Sequence, residues 1–228
     1  MVNTSEQNSE AGDDDVKRRC AGGDNPSSLR RVLDRIGVGL RPDDVTRLLS
    51  LIRVREAEGR DYDVADASLE LLARRELRVV SDYFMLHSFR VMTERRWNSG
   101  GEPFTVSEAT VKIEVAGQRV IGVSEGSGPV HAIDAALRKA LLPYYDALTD
   151  MILTDFRVGI VDSRDGAAAV TRVLVESVDG AGNRWTTVGI SPNVIDASFE
   201  ALHDAILYKL SRDNVGPAEA SDQRLSRA

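Results

Sequence analysis

The chain has 228 residues, 42% of them hydrophobic and 29% charged, with 36 acidic residues against 29 Lys and Arg and a formal net charge of −7. That charge argues against a general affinity for nucleic acid or anionic membranes, and no segment approaches the roughly 20 apolar residues that a spanning helix needs. The acidic start "MVNTSEQNSEAGDDD" lacks the apolar stretch of a secretory signal, and the single cysteine, Cys20, has no intrachain disulfide partner, so the expected setting is a reducing cytoplasm.

Residues 1–28 are rich in Gly, Ser, Asn and Asp, with hardly a large apolar side chain. Such a segment cannot bury enough surface to offset its ordering entropy, so it reads as a disordered tail in which Cys20 is inert. Residues 213–228 have the same character and read as a second tail. The next segment, 29–98, reads as a small helical linker subdomain. "LRRVLDRIGVGL" places Leu29, Val32, Leu33 and Ile36 on one helix face, and Gly37 and Gly39 break it. "RPDDVTRLLSLIRVREAEG" repeats the spacing with Val45, Leu48, Leu49 and Ile52, Pro42 in the first turn and Gly59 as the stop. "VADASLELLARREL" predicts a third helix, with Asp66 as its N-cap.

Past "NSGGEP" the apolar period changes from helical to alternating. Val111, Ile113 and Val115 alternate up to a turn at Ala116-Gly117, and Val120 and Val123 continue beyond it, which is a hairpin pattern. A helix follows from Pro129 with a stripe of Val130, Ile133, Leu137, Ala140 and Leu141, and Pro143 ends it. The plan then returns. Ile195-Asp196-Ala197 matches Ile133-Asp134-Ala135, Phe199 matches Leu137, Val188 matches Val123, and Pro192 falls near the equivalent of Pro129. Residues 107–210 therefore read as a duplicated strand–strand–helix unit, with "ILTDFRVGIVD" as an additional strand near the join. The expected fold class is α+β: the duplicated units pack as a two-layer domain (105–212) behind the helical subdomain.

The stretches "EATVKIEVAGQRVIGVSEGSGPVHAIDAALRKAL" and "VTRVLVESVDGAGNRWTTVGISPNVIDASFEAL" resemble the C-terminal regulatory, or allosteric dimerisation, domain of the isopropylmalate synthase family, and within it the citramalate synthase branch. "GRDYDVADASLELLARREL" and "FRVMTERR" are similar to the helical linker that joins that domain to the catalytic barrel. Those synthases condense acetyl-CoA with a 2-oxo acid in a TIM barrel whose divalent metal is held by an Asp and a His-x-His pair. This sequence has three histidines, His87, His131 and His203, none near another, and no run of eight strand–helix units fits before Ser107. The resemblance therefore implies a part without synthase chemistry, metal or cofactor of its own, which dimerises and binds a feedback amino acid, leucine or isoleucine. A barrel-only synthase is the expected partner.

Within that resemblance the expected effector contacts are Gly126, Ser127, Gly128, Pro129 and Val130 at the first helix start and Ser191, Pro192, Asn193, Val194 and Asp196 at the second. Turn amides and helix N-termini accept a carboxylate, Val130, Ala132, Val194 and Ile195 offer apolar lining, and Asp134 or Asp196 can meet an ammonium. The same residues equally suit ordinary turn and helix-dipole chemistry. A second reading stays open, a repurposed enzyme (isomerase, cyclase or dehydratase) acting on a small or medium apolar substrate through Glu125, His131 and Asp134. A third is a structural dimer without ligand. Trp185, Tyr144 and Tyr145 read as packing residues, and "RDG" at 164–166 as a turn.

Overall fold

The computed structural model describes residues 42–161 and 169–219, together with Val32. The 1–28 tail with Cys20, all of the first predicted helix except the buried, helical Val32, the "RDG" turn and residues 220–228 lie outside the described residues. Two of the expected linker helices are present, α1 (Pro42–Ala57) and α2 (Asp66–Glu76). Gly59, just past α1, adopts φ +104°, a conformation that favours glycine. Asp66 is not the cap of α2: Ala65 holds that position without a side-chain bond, and Asp66 instead accepts the backbone N–H of Thr186 at 3.2 Å.

The helical reading of 29–98 fails past Glu76, where α2 ends. Residues Met85–Trp97 form strand β1, which pairs along its length with β2 (Pro103–Val115), so a boundary between 98 and 105 falls inside a hairpin turn. Strand β3 (Gln118–Gly126) completes the first sheet, ordered β1-β2-β3, and α3 (Pro129–Leu141) covers it. After a 3-10 turn at Asp146–Leu148 the plan repeats: β4 (Ile152–Ile160), β5 (Thr171–Val178) and β6 (Arg184–Ser191) form a second antiparallel sheet, followed by α4 (Val194–Arg212). The repeat is thus three strands and a helix. The "additional" strand β4 is the twin of β1, and even the bulges agree, between Leu86 and Ser88 in β1 and between Leu153 and Asp155 in β4.

Strand register supports the match read from sequence. Val123 opposes Thr110 and, across it, Arg90; Val188 opposes Leu174 and, across it, Arg157. The inner faces of both sheets and the stripes of α3 and α4 form one core, with Val111, Ile113, Ile133, Leu137, Val175, Trp185, Leu202 and Ile206 all buried. Close helix–sheet approach depends on glycine: a Cβ on Gly122 would lie 2.3 Å from the Ala136 carbonyl oxygen, and one on Gly189 would lie 1.9 Å from that of Ala197. At the β2–β3 hairpin Ala116 (φ 52°) and Gly117 (φ 73°) give the two positive φ angles of a tight two-residue turn.

The outer faces of the two sheets differ. That of the second sheet is covered by the helical segment, where Leu48, Tyr62, Leu69 and Ala73 pack with Val188, Leu174 and Ile190. Val123, in the place equivalent to Val188, is 40% exposed because no described helix lies over it. The reading of 213–228 as a tail also ends differently: Val215 and Ala218 pack against the main core, and the Ala218 N–H donates to the Tyr145 hydroxyl.

Candidate functional site

The Gly-rich turn leads into α3 with Gly128 at the N-cap and Pro129 in the first turn. Gly126 is required by packing, because its Cβ would lie 2.5 Å from the backbone nitrogen of Ala132, whereas a Cβ on Gly128 would meet nothing within 4 Å. The backbone N–H of Ser127 donates to Nδ1 of His131 at 3.2 Å, which leaves the proton of a neutral ring on Nε2.

From this turn α3 carries Val130, Asp134 and Arg138 at successive i,i+4 positions, along one helix face. That face forms a wall of a cavity of about 640 Å³. Leu142, at the C-cap, continues this face, and the opposite wall comes from the join and from β4: Leu148, Thr149, Met151, Ile152, Leu153 and Phe156. Arg138 Nε donates to Asp134 Oδ2 at 2.8 Å, and its Nη1 donates to the carbonyl oxygens of Met151 at 2.6 Å and Leu148 at 3.4 Å. The guanidinium therefore fastens the join to α3. Asp134 Oδ1 and Arg138 Nη2 are buried and have no hydrogen-bond partner. Both atoms are closed to solvent, so they do not border the cavity, but their residues line it beside apolar side chains, and a cavity of that make-up is suited to a small molecule that is polar at one end and apolar at the other.

The corresponding place in the second repeat is built differently. The counterpart of Phe156 is Phe89, which stacks on Phe199 with centroids 4.8 Å apart, and His203 and Phe84 extend this aromatic cluster. Arg138 corresponds to Glu200, which accepts Arg60 of the linker at 2.5 Å and the Ile190 N–H at 2.8 Å. In this half, linker and aromatic side chains take the positions that border the cavity in the other.

Among the sequence-predicted residues, Val130, His131 and Asp134 line the cavity together. Ala132 does not, being fully buried in the core. Ser191, Pro192, Asn193, Val194 and Asp196 lie at the other helix start, away from this lining; there Asn193 caps α4 by accepting the Ile195 N–H at 2.9 Å, and Ser191 Oγ accepts the Asn193 N–H. Glu125 is exposed on β3, and none of the described hydrogen bonds joins any two of Glu125, His131 and Asp134. Among the described residues no cluster of three or more His, Cys, Asp or Glu is placed to hold a metal ion. Sequence reasoning missed Arg138 and the wall at 148–156. The available signal was the Asp134–Arg138 spacing, one helical turn.

The far side of the join is held by charge. Asp150 accepts Lys209 Nζ at 3.0 Å and the Gly180 N–H at 3.1 Å, and Lys209 also reaches Asp213 at 2.7 Å. The hydrogen bond from Lys209 holds the Asp150 carboxyl below its ordinary range. Burial works to raise the Asp179 carboxyl, but bonds from Asn183 and Arg212 outweigh it and hold that group well below the usual range.

The family profile of the LeuA allosteric (dimerisation) domain matches residues 63–210. The chain is 41% identical over 189 residues to an (R)-citramalate synthase of Aquifex aeolicus, an alignment covering 82% of this chain and 35% of that protein. It is 41% identical over 187 residues to the (R)-citramalate synthase of Streptomyces coelicolor, covering 81% and 34%. A 2-isopropylmalate synthase of Dictyoglomus turgidum is 26% identical over 186 residues, covering 80% and 33%. The chain spans about a third of the length of these curated relatives.

Proposed function

The chain belongs to the LeuA allosteric (dimerisation) domain family, and from that premise we propose that it is a regulatory module that binds a branched-chain amino acid, leucine or isoleucine, or a similar small acid. The observation that carries this reading is the cavity along α3, which begins at Val130 beside the Gly-rich turn and joins an apolar lining to the Asp134–Arg138 pair. The polar end of the effector lies against Asp134, Arg138 and the Gly126–Pro129 turn, and its side chain lies among Leu142, Met151, Leu153 and Phe156. The module works as a homodimer, with the Ser191–Asp196 loop brought to a shared interface. Exposed Ile152, Val158 and Ile160 on edge strand β4, beside the cavity, supply apolar surface for such a contact. Its output acts on a catalytic synthase barrel through α1 and α2, because an effector that prefers one seating of these helices shifts the population toward it.

The test is thermal denaturation of the purified protein with leucine, isoleucine, valine and the related 2-oxo and hydroxy acids, beside light scattering for mass. A specific effector at a hundredfold excess over its dissociation constant stabilises the fold by about 2.7 kcal/mol. A dimer whose midpoint rises with leucine or isoleucine supports the reading. A dimer indifferent to every compound leaves a bare scaffold, and a monomer removes the shared interface.

A further inference from the structure

We propose that β3 is a strand-addition edge, which pairs antiparallel with β3 of a second copy of this chain about a two-fold axis at Gly122. The two repeats treat their last strands differently. Strand β6 ends the second sheet, and three alternate backbone N–H groups along it are taken by side chains. Thr186 donates to Asp66 at 3.2 Å, Val188 to Ser68 Oγ at 3.0 Å and Ile190 to Glu200 at 2.8 Å. An edge stopped in this way is closed to another strand. The equivalents on β3, which ends the first sheet, are Ile121, Val123 and Glu125. Beyond the β2–β3 ladder, no hydrogen bond among the described residues takes up the N–H of any of the three. The Val123 carbonyl accepts Lys139 Nζ at 3.2 Å and that of Glu125 accepts Ser124 Oγ at 3.4 Å, which leaves each a lone pair for a further donor.

Charge selects both the partner and the register. Gly122 faces α3, so Arg119, Ile121, Val123 and Glu125 share the outer face of the sheet, and all four are exposed. With the axis at Gly122, Ile121 lies opposite Val123 of the second copy and Arg119 opposite its Glu125, and symmetry makes each pair twice. Moving the axis to Val123 sets Ile121 against Glu125, and moving it to Ile121 sets Val123 against Arg119. Of the three registers only the first joins apolar to apolar and cation to anion. Main-chain bonds supply the affinity, and the alternate outer side chains choose the partner. The first sheets of the two copies then run on as one, and the two-fold contact closes on itself. This edge belongs to the other sheet from β4 and the Ser191–Asp196 loop, so it does not rest on the effector reading.

The experiment is sedimentation velocity of the full chain at rising concentration, for the native sequence, for Arg119→Glu and for Glu125→Arg. Both positions are exposed and outside the core, so the fold tolerates the changes. In the proposed register Arg119→Glu sets carboxylates opposite carboxylates, and Glu125→Arg sets cations opposite cations. Each is expected to weaken self-association about 10-fold. An equimolar mixture of the two variants is expected to restore it, because each then complements the other. A native chain that stays monomeric overturns the pairing. Self-association that neither substitution weakens also overturns it, and leaves a dimer through β4 or the Ser191–Asp196 loop standing. So does a loss in both variants that mixing fails to repair, since the reversed charges then act elsewhere.

Discussion

Arg75 on α2 donates through Nη2 to Oδ1 of Asp204 on α4 at 2.6 Å, tying the linker to the long helix of the second repeat. Asp204 is buried, and its other oxygen faces Ser68 Oγ at 3.4 Å, while Ser68 Oγ accepts the Val188 N–H at 3.0 Å. With Asp66 on Thr186 and Arg60 on Glu200, these contacts make a polar clamp between linker and sheet. Arg75 is exposed, so loss of Asp204 returns its guanidinium to solvent and removes the hydrogen bonds of one buried carboxylate. Asp204→Ala is expected to cost about 1–3 kcal/mol in urea unfolding, with Asp204→Asn less damaging because it keeps the shape and a hydrogen-bonding oxygen. Loss of amide protection should be greatest in α2.

Gly189 and Gly122 permit the helices to sit against their sheets. Gly189→Ala would place a methyl group 1.9 Å from the Ala197 carbonyl oxygen, so α4 must shift; a loss of about 3 kcal/mol is expected from equilibrium unfolding. Gly128→Ala is the control. Its φ of −162° suits any residue and its Cβ meets nothing within 4 Å, so it should stay within about 1 kcal/mol of the native protein.

Ala116 holds φ 52° in the hairpin turn before Gly117. An L-alanine resists that region, whereas Asn-Gly is well suited to a turn with two positive φ angles. Ala116→Asn is expected to stabilise by about 0.5–1 kcal/mol, seen as a rise in melting temperature of about 1–4 °C.

The ion network at the end of α4 makes the fold sensitive to acid. Asp150 and Asp179 are held below their ordinary range in the folded chain, while in the unfolded chain each takes up a proton near pH 4. As pH falls through and below that point the unfolded state binds more protons, so the stabilisation is complete above about pH 4 and is lost progressively below it. Asp179→Asn should lower the melting temperature at neutral pH and also shrink its fall between pH 6 and pH 3. An unchanged acid slope would remove Asp179 from this role.

Much of the fold was legible because the repeat announces itself: Val123 with Val188 and Ile133-Asp134-Ala135 with Ile195-Asp196-Ala197 share a place in register or helix. Strand β1 was not. Its Met, Glu and Arg residues favour helices, and the bulge between Leu86 and Ser88 breaks the two-residue alternation. The legible clue was its twin, since Leu86 and Phe89-Arg90-Val91 recur as Leu153 and Phe156-Arg157-Val158. At the candidate site the turn and helix start could be read locally, and Val130, His131 and Asp134 do line the cavity. Arg138 sits toward the end of α3 beside Lys139, where basic residues ordinarily serve the helix dipole. Its second role depends on the join folding back over it, a tertiary contact with no periodic trace.

The most direct test of the effector site is hydrogen–deuterium exchange of the full chain with and without saturating L-leucine or L-isoleucine. Slower exchange concentrated in 130–142 and 148–156 is the predicted result, because these two segments face each other across the cavity. Exchange unchanged in both segments with either amino acid at saturation, or slowed only elsewhere in the chain, would contradict it.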